Sequence, residues 1–463
     1  MRKLPVILAF LFLLLPIARA QFSSLTSLKP LPITTDTKEM PQSKIWVHDD
    51  LYWSVLTNSE GTHVWRLDDK TWTKVLTIGI SEYGRADCKV AGEIVHIFLY
   101  RKSRSHLVSI EYDPLLHTYR FWQEQPERVL VNLPPEAETA TIDLDTRKRM
   151  WLTYDDSTRI LTRWSDSPYT TWSNPVTIVS GITPDDIGAV MAFPMFNKIG
   201  ILWSDQHKQR YGFRMHPDGS DPENWLDDEV PASQSAQDFR GGMANDHLNM
   251  TLGSDGTLYC AVKTSYNRPE YPRLALLIRR PSGFWDEMHT VSNTGTRGIA
   301  LLNESAGKIR IIYTASENGG DIVYRESRLN PIAFSEQILL MPGKFDHSTT
   351  LRNNTQSRML VLASDSLVTV GVVVLDAINL HLEANPNPSL NRSEITFTVP
   401  GRSNYSLNLY NVAGILQGNL KKGYAKYGEK HKIMLDTSGL PFGLYIIRLQ
   451  ADKHSRFLKL LRI

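Results

Sequence analysis

Cysteine is almost absent from the chain, with Cys88 and Cys260 the only two in 463 residues. A disulfide-stapled scaffold is therefore excluded, and no Cys or His pair shows zinc-ligand spacing. Long apolar runs are also missing after the first twenty residues, so no later segment reaches the roughly 18 to 20 residues that a membrane-spanning helix needs. Helical periodicity is missing as well: between about residues 45 and 374 no stretch repeats its apolar positions with a period near 3.6. The stretch "HPDGSDPENWLDDE" (216–229) is rich in carboxylates but lacks the alternating spacing of a calcium loop. No metal and no cofactor is called for.

What is present first is an address. "MRKLPVILAFLFLLLPIARAQ" has a basic start at Arg2 and Lys3, an apolar run from Leu4 to Ile17, and Ala18-Arg19-Ala20 as a small-residue cleavage site. This pattern predicts a secretory signal peptide over residues 1–20. A segment over 21–44 then leads into the body of the protein. Export permits disulfides, but the repeat described next sets Cys88 and Cys260 in units on opposite sides of a ring, so both are expected as buried free thiols.

From Ile45 onward, runs of four to eight residues rich in Val, Ile, Tyr, Trp and Leu alternate with clusters of Asp, Asn, Gly, Ser and Pro. Strands at that density predict an all-β body over 45–378. A unit recurs with starts near Ala86, Ala140, Asp186, His247, Arg297 and His347, a spacing of 46 to 61 residues. That period suits the four-stranded blades of a β-propeller. A further unit over "IWVHDDLYWSVLTNSEGTHVWRLDDKTWTKVLTI" and an incomplete last one, closed by a strand from the N-terminal segment, bring the expected count to seven blades, with six as the alternative. WD40 and kelch signatures are lacking. "SDSPYTTW" (165–172) resembles a degraded Asp-box of sialidase-like propellers, keeping Ser165, Thr171 and Trp172 but with Ser167 and Tyr169 in place of the Asp and Gly; a plain turn before an outer-strand Trp reads it equally well. A true sialidase is disfavoured because no Arg-Ile-Pro motif precedes the blades.

The tail changes character at "LEANPNPSLNRSEITFTV". Here "NPNPS" (385–389), "LNLYNVAGIL" (407–416), "LDTSGLPFGLYIIRL" (435–449) and the closing "KLLRI" resemble the type A C-terminal sorting domain of the type IX secretion system of Bacteroidota. The resemblance covers residues 379–463 and implies a small immunoglobulin-like sandwich, the type IX machinery as partner, and a product secreted or held at the cell surface. A carbohydrate-binding sandwich is the alternative. Residues 380–463 hold twelve Lys or Arg against five Asp or Glu, so the body over 21–379 carries a net charge of −8. A field of that sign repels nucleic acid, and strongly acidic glycans too unless a local basic patch overrides it.

In a four-stranded meander the start of the first strand and the loop between the second and third strands share one rim, because every strand reverses direction. That rule sets Asp186, Asp246, His247, Arg297 and His347 around the axial opening as candidate catalytic residues. A lyase would use His247 or His347 as base with Arg297 steadying the anion; a hydrolase would use Asp186 and Asp246 as a carboxyl pair. The plainer reading has the same residues hydrogen-bonding neighbouring blades. Outside them, "TSYNRPEYPR" (264–273) offers Tyr266, Arg268, Tyr271 and Arg273, and the 204–210 loop His207, as a stacking and hydrogen-bonding surface for sugar. The expected function is binding of an extracellular glycan, with glycan breakdown or protein interaction as rivals.

Overall fold

The structure, a computed structural model, describes residues 22, 24–35, 43–80, 85–238, 241–352, 358–365, 367–376, 380–399, 403–425, 430–451 and 454–463. The signal peptide expected at 1–20 and the domain boundary at 378/379 lie outside the described residues. Among the described residues the only helices are three single 3-10 turns, Lys102–Arg104, Pro194–Phe196 and Glu304–Ala306. The rest is antiparallel sheet.

Seven sheets precede residue 377. Their first strands are Ile45–His48, Arg85–Ala91, Ala140–Leu144, Gly188–Phe193, Leu248–Leu252, Thr296–Asn303 and His347–Thr350. Within each sheet the strands follow in chain order, as in a meander. The seventh sheet departs from this: its outer strand is Ser24–Ser27, paired with Val372 to Leu375, so the N-terminal segment completes the last unit. The fourth sheet has three strands, extended by a single bridge between Phe213 and Glu229.

The apolar side chains fall into seven clusters, each shared by two consecutive sheets. Trp53, Val64, Ile97 and Ile110 join the first to the second, and Phe213, Met215, Leu258 and Cys260 join the fourth to the fifth. The last cluster sets Tyr52, Trp65 and Trp72 of the first sheet against Leu360, Leu362 and Val373 of the seventh. Consecutive sheets thus pack in a closed cycle, with a bridge from Ile45 to Leu351 where the ends meet. Because every sheet is covered on both faces, its strands read as continuous apolar runs such as "IGILW" rather than as strict alternation. Cys88 and Cys260 are buried and unbridged, in the second and fifth sheets.

Two further sheets form the tail. One joins His381–Asn385, Arg392–Thr398 and Lys430–Asp436; the other joins Leu416–Ala425, Ser403–Asn411, Gly443–Ala451 and His454–Arg462. They enclose a core of their own around Phe397, Leu407, Ile447 and Leu460.

Candidate functional site

The first strands of the seven sheets define two ends of the ring, a leading face where they begin and a trailing face where they finish. The predicted catalytic residues all sit at the leading ends. Asp186 is fully buried there, and its carboxylate accepts hydrogen bonds from the Thr183 amide (2.8 Å), the Thr183 hydroxyl (2.9 Å) and the Gln206 amide (3.1 Å). Three donors on a fully buried carboxylate clamp the turn that starts the fourth sheet. His347 is also buried, as the first residue of its strand.

His247 is different. Its Nδ1 lies 2.5 Å from Asp246 Oδ1 and 3.2 Å from Asn245 Oδ1. Two acceptors on that side fix the proton on Nδ1, so Nε2 of the neutral ring presents a lone pair. Nε2 is buried and has no hydrogen-bond partner among the described residues. One sheet further on, Arg297 takes a left-handed backbone conformation, φ 58°, inside a register shift between Thr296 and Ile299. A bulge of this kind re-aims the side chain it carries. The Arg297 guanidinium reaches the Glu317 carbonyl at 3.3 Å, while its Nε is buried with no partner among the described residues.

Carboxyls gather beside His247. Burial raises Asp185 above its ordinary value, with Asp246 and then Asp186 adding to the effect and the Gln206 hydrogen bond and His247 opposing it. Burial likewise raises Glu138, assisted by Asp185 and Asp246 and opposed by Arg85 and Lys102. Glu138, Asp185, Asp246 and His247 are therefore one electrostatic group spanning the starts of the third, fourth and fifth sheets. Glu138 escaped the sequence reading because it stands two residues before its strand, in "PPEAE", with no feature to mark it.

The outer loops divide. Tyr266 is not on the surface: it is fully buried in the core between the fourth and fifth sheets, and its hydroxyl accepts the Gln237 amide at 3.0 Å. A ring so enclosed cannot stack on a sugar. Tyr271 is half-buried against it, with ring centroids 5.2 Å apart. Arg273 bonds the Tyr266 carbonyl at 2.8 Å and Glu317 at 3.2 Å, and Glu317 also holds Lys263 at 2.7 Å. Arg268 and His207 are exposed. Ser165 closes the turn after Arg159–Ser165 by donating to the Thr171 carbonyl at 2.5 Å.

The trailing face holds a cavity of about 680 Å³. It is lined by ends of first strands and their turns from six of the seven sheets, among them Trp46, Lys89, Asp143, Met191, Leu252 and Arg352. Arg352 spans the axis: it bonds Asp87 (3.0 Å), the Ile142 carbonyl (2.9 Å) and the Val190 carbonyl (2.9 Å). Lys89 pairs with Asp143, which also accepts the Ala192 amide at 2.9 Å. Lys89 and Arg352 are thus each matched by a carboxylate. These residues run from Trp46 to Arg352, 306 positions apart, and share no motif, so the sequence offered no sign of the cavity.

Comparison with known proteins adds an address. No curated protein is similar in sequence to the chain. Among solved structures, a PL25 ulvan lyase shares 10% identity at a TM-score of 0.47, covering 75% of this chain and 96% of its own. The polysaccharide lyase Uly1 shares 9% identity at the same score, covering 77% and 100%. The SapL1 lectin, solved with alpha methyl fucoside, shares 11% at 0.40, covering 66% and 96%. Neither activity nor ligand transfers at such distances. Residues 384–462 match the family described as the secretion system C-terminal sorting domain, so the tail is a type IX sorting domain and the protein is secreted or attached to the cell surface.

Proposed function

We propose that the chain is a seven-bladed β-propeller, followed by an immunoglobulin-like sorting tail, that binds an extracellular glycan at the leading face around His247 and Arg297. One observation carries this reading. Two polar atoms of opposite sense, the acceptor Nε2 of His247 and the donor Nε of Arg297, are buried without partners at neighbouring strand starts. Leaving such atoms unmatched costs roughly 1 to 3 kcal/mol each. A hydroxyl both donates and accepts, so it can match either atom once the side chain turns toward the rim, and glycans present such groups in number. Tyr271, Arg268 and His207, on loops of the same face, are the expected outer contacts, with Asp246 holding the imidazole in register.

The rival is hydrolysis. It is favoured by the raised carboxyls of Glu138 and Asp185, since a carboxyl that holds its proton more firmly than usual is shifted in the direction a general acid needs. The two readings separate in a calorimetric and reducing-end assay of the mature chain on a panel of neutral and acidic glycans. Binding without new reducing ends is the expected result. His247→Ala is expected to weaken that binding about tenfold, the worth of one hydrogen bond of roughly 1.4 kcal/mol, with the unfolding midpoint little changed. Unchanged affinity in that variant would remove the hub from the site.

A further inference from the structure

The trailing cavity is a second place where a ligand would sit, on the other side of the Arg352 plug from the leading-face hub. Its walls are largely apolar, with Trp46, Val47, Met191, Pro194, Met195 and Leu252 prominent. Val47 and Met195 are 40% and 63% exposed, so apolar surface faces solvent at its margin. A preformed hollow of this size and character suits a compact organic molecule rather than a hydroxyl-rich one, because apolar walls give nothing to hydroxyls that must leave water.

Charge narrows the class. Five charged residues line the cavity: Asp50, Lys89, Asp143, Arg352 and Arg358. Lys89 is matched by Asp143, and Arg352 by Asp87 behind it. Arg358 has no carboxylate partner among the described residues; its guanidinium lies over the ring of Tyr52, 5.2 Å from the centroid. Stacking on a ring fixes the planar fork and leaves its N–H edge free for a carboxylate. A guanidinium without a carboxylate partner among the described residues, beside apolar walls, is a local cation that can hold an anion against the field of a domain whose net charge is −8.

We infer that the trailing cavity binds a small amphipathic carboxylate, its apolar body against Trp46, Met191 and Met195 and its carboxylate on Arg358. The site is separate from the glycan hub and does not depend on it. The test is calorimetric titration of the mature chain with 2-naphthoate, octanoate and the neutral 2-naphthamide. At least one carboxylate is expected to bind at least tenfold more tightly than the amide. Arg358→Met, which keeps most of the stem and removes the charge, is expected to lose that preference while the amide's weak affinity stays the same. Ala192→Phe, which fills the cavity from its floor, is expected to abolish binding of all three; if that variant fails to fold, the charge-removing variant still decides. His247→Ala is expected to leave carboxylate binding untouched, which separates this site from failure of the glycan reading. Absence of carboxylate binding to the unmodified chain, or equal affinity in Arg358→Met, would overturn the inference.

Discussion

Arg297 bears a local cost that its neighbours do not. A non-glycine residue at φ 58° carries on the order of 1 kcal/mol of backbone strain, and strain of this kind persists where the surrounding structure over-determines it. Arg297→Gly is therefore expected to raise the unfolding free energy by up to about 1 kcal/mol in urea titration, while weakening glycan binding at the hub. A stabilised variant with full binding would show that the guanidinium is idle. Asp155 makes a complementary case through pH. Its carboxyl accepts the Glu138 amide at 2.8 Å and the Thr139 amide at 3.1 Å, yet burial pushes it up to about 7 from an ordinary 3.8. Between those values the unfolded chain has released the proton and the folded chain has kept it. The contribution to stability is thus complete below pH 3.8 and lost as pH rises through 7. Asp155→Asn is expected to flatten the fall in unfolding free energy, read from urea titration, between pH 4 and pH 7 relative to the parent, by an amount on the order of a few kcal/mol. An identical slope in the two proteins would place the proton elsewhere.

At the scale of strands, much of the ring was legible and its second end was not. The starts read near Ala86, Ala140, Asp186, His247, Arg297 and His347 meet first strands beginning at Arg85, Ala140, Gly188, Leu248, Thr296 and His347. They could be read because a sheet covered on both faces demands an apolar run, and the polar clusters between runs mark where each begins. What could not be read was how deep a loop aromatic would go: Tyr266 and Tyr271 are equivalent in sequence, but Tyr266 is fully buried in the core between sheets and Tyr271 only half-buried against it. Nor could strand ends from six sheets be seen to share one hollow, since the residues each contributes form no motif. Burial also hides a polar clasp. Arg310, fully buried in the second strand of the sixth sheet, pairs with Glu326 of that sheet and with Asp376 at the end of the seventh, where its Nη1 lies 2.8 Å from Oδ2. Removing one partner of a buried set strands the others, at roughly 3 to 5 kcal/mol. Arg310→Met is expected to lower stability by about that amount in urea titration; a loss below about 1 kcal/mol would mean that water reaches the two carboxylates.

The whole molecule depends on a closure made by residues far apart in the chain. Each of the seven cores is shared, so no sheet can be folded without its neighbours, and the last core exists only when the ends meet. Ser24–Ser27 supplies the outer strand of the seventh sheet, Leu28 enters the core between the seventh and first sheets, and Phe22 lies under the Arg310 guanidinium at 4.3 Å. Without this segment the strand Val368–Leu375, "VTVGVVVL", would present an unpaired apolar edge. A chain beginning at residue 33 is therefore expected to unfold several degrees lower in a thermal scan and to aggregate, whereas deletion of 380–463, which has its own core, is expected to leave the ring's transition in place. Adding a peptide spanning residues 22–32 to the shortened chain is expected to restore the higher transition by strand addition. If the shortened chain melts like the parent, or the peptide restores nothing, the ring is held by its cores alone and the N-terminal strand only decorates it.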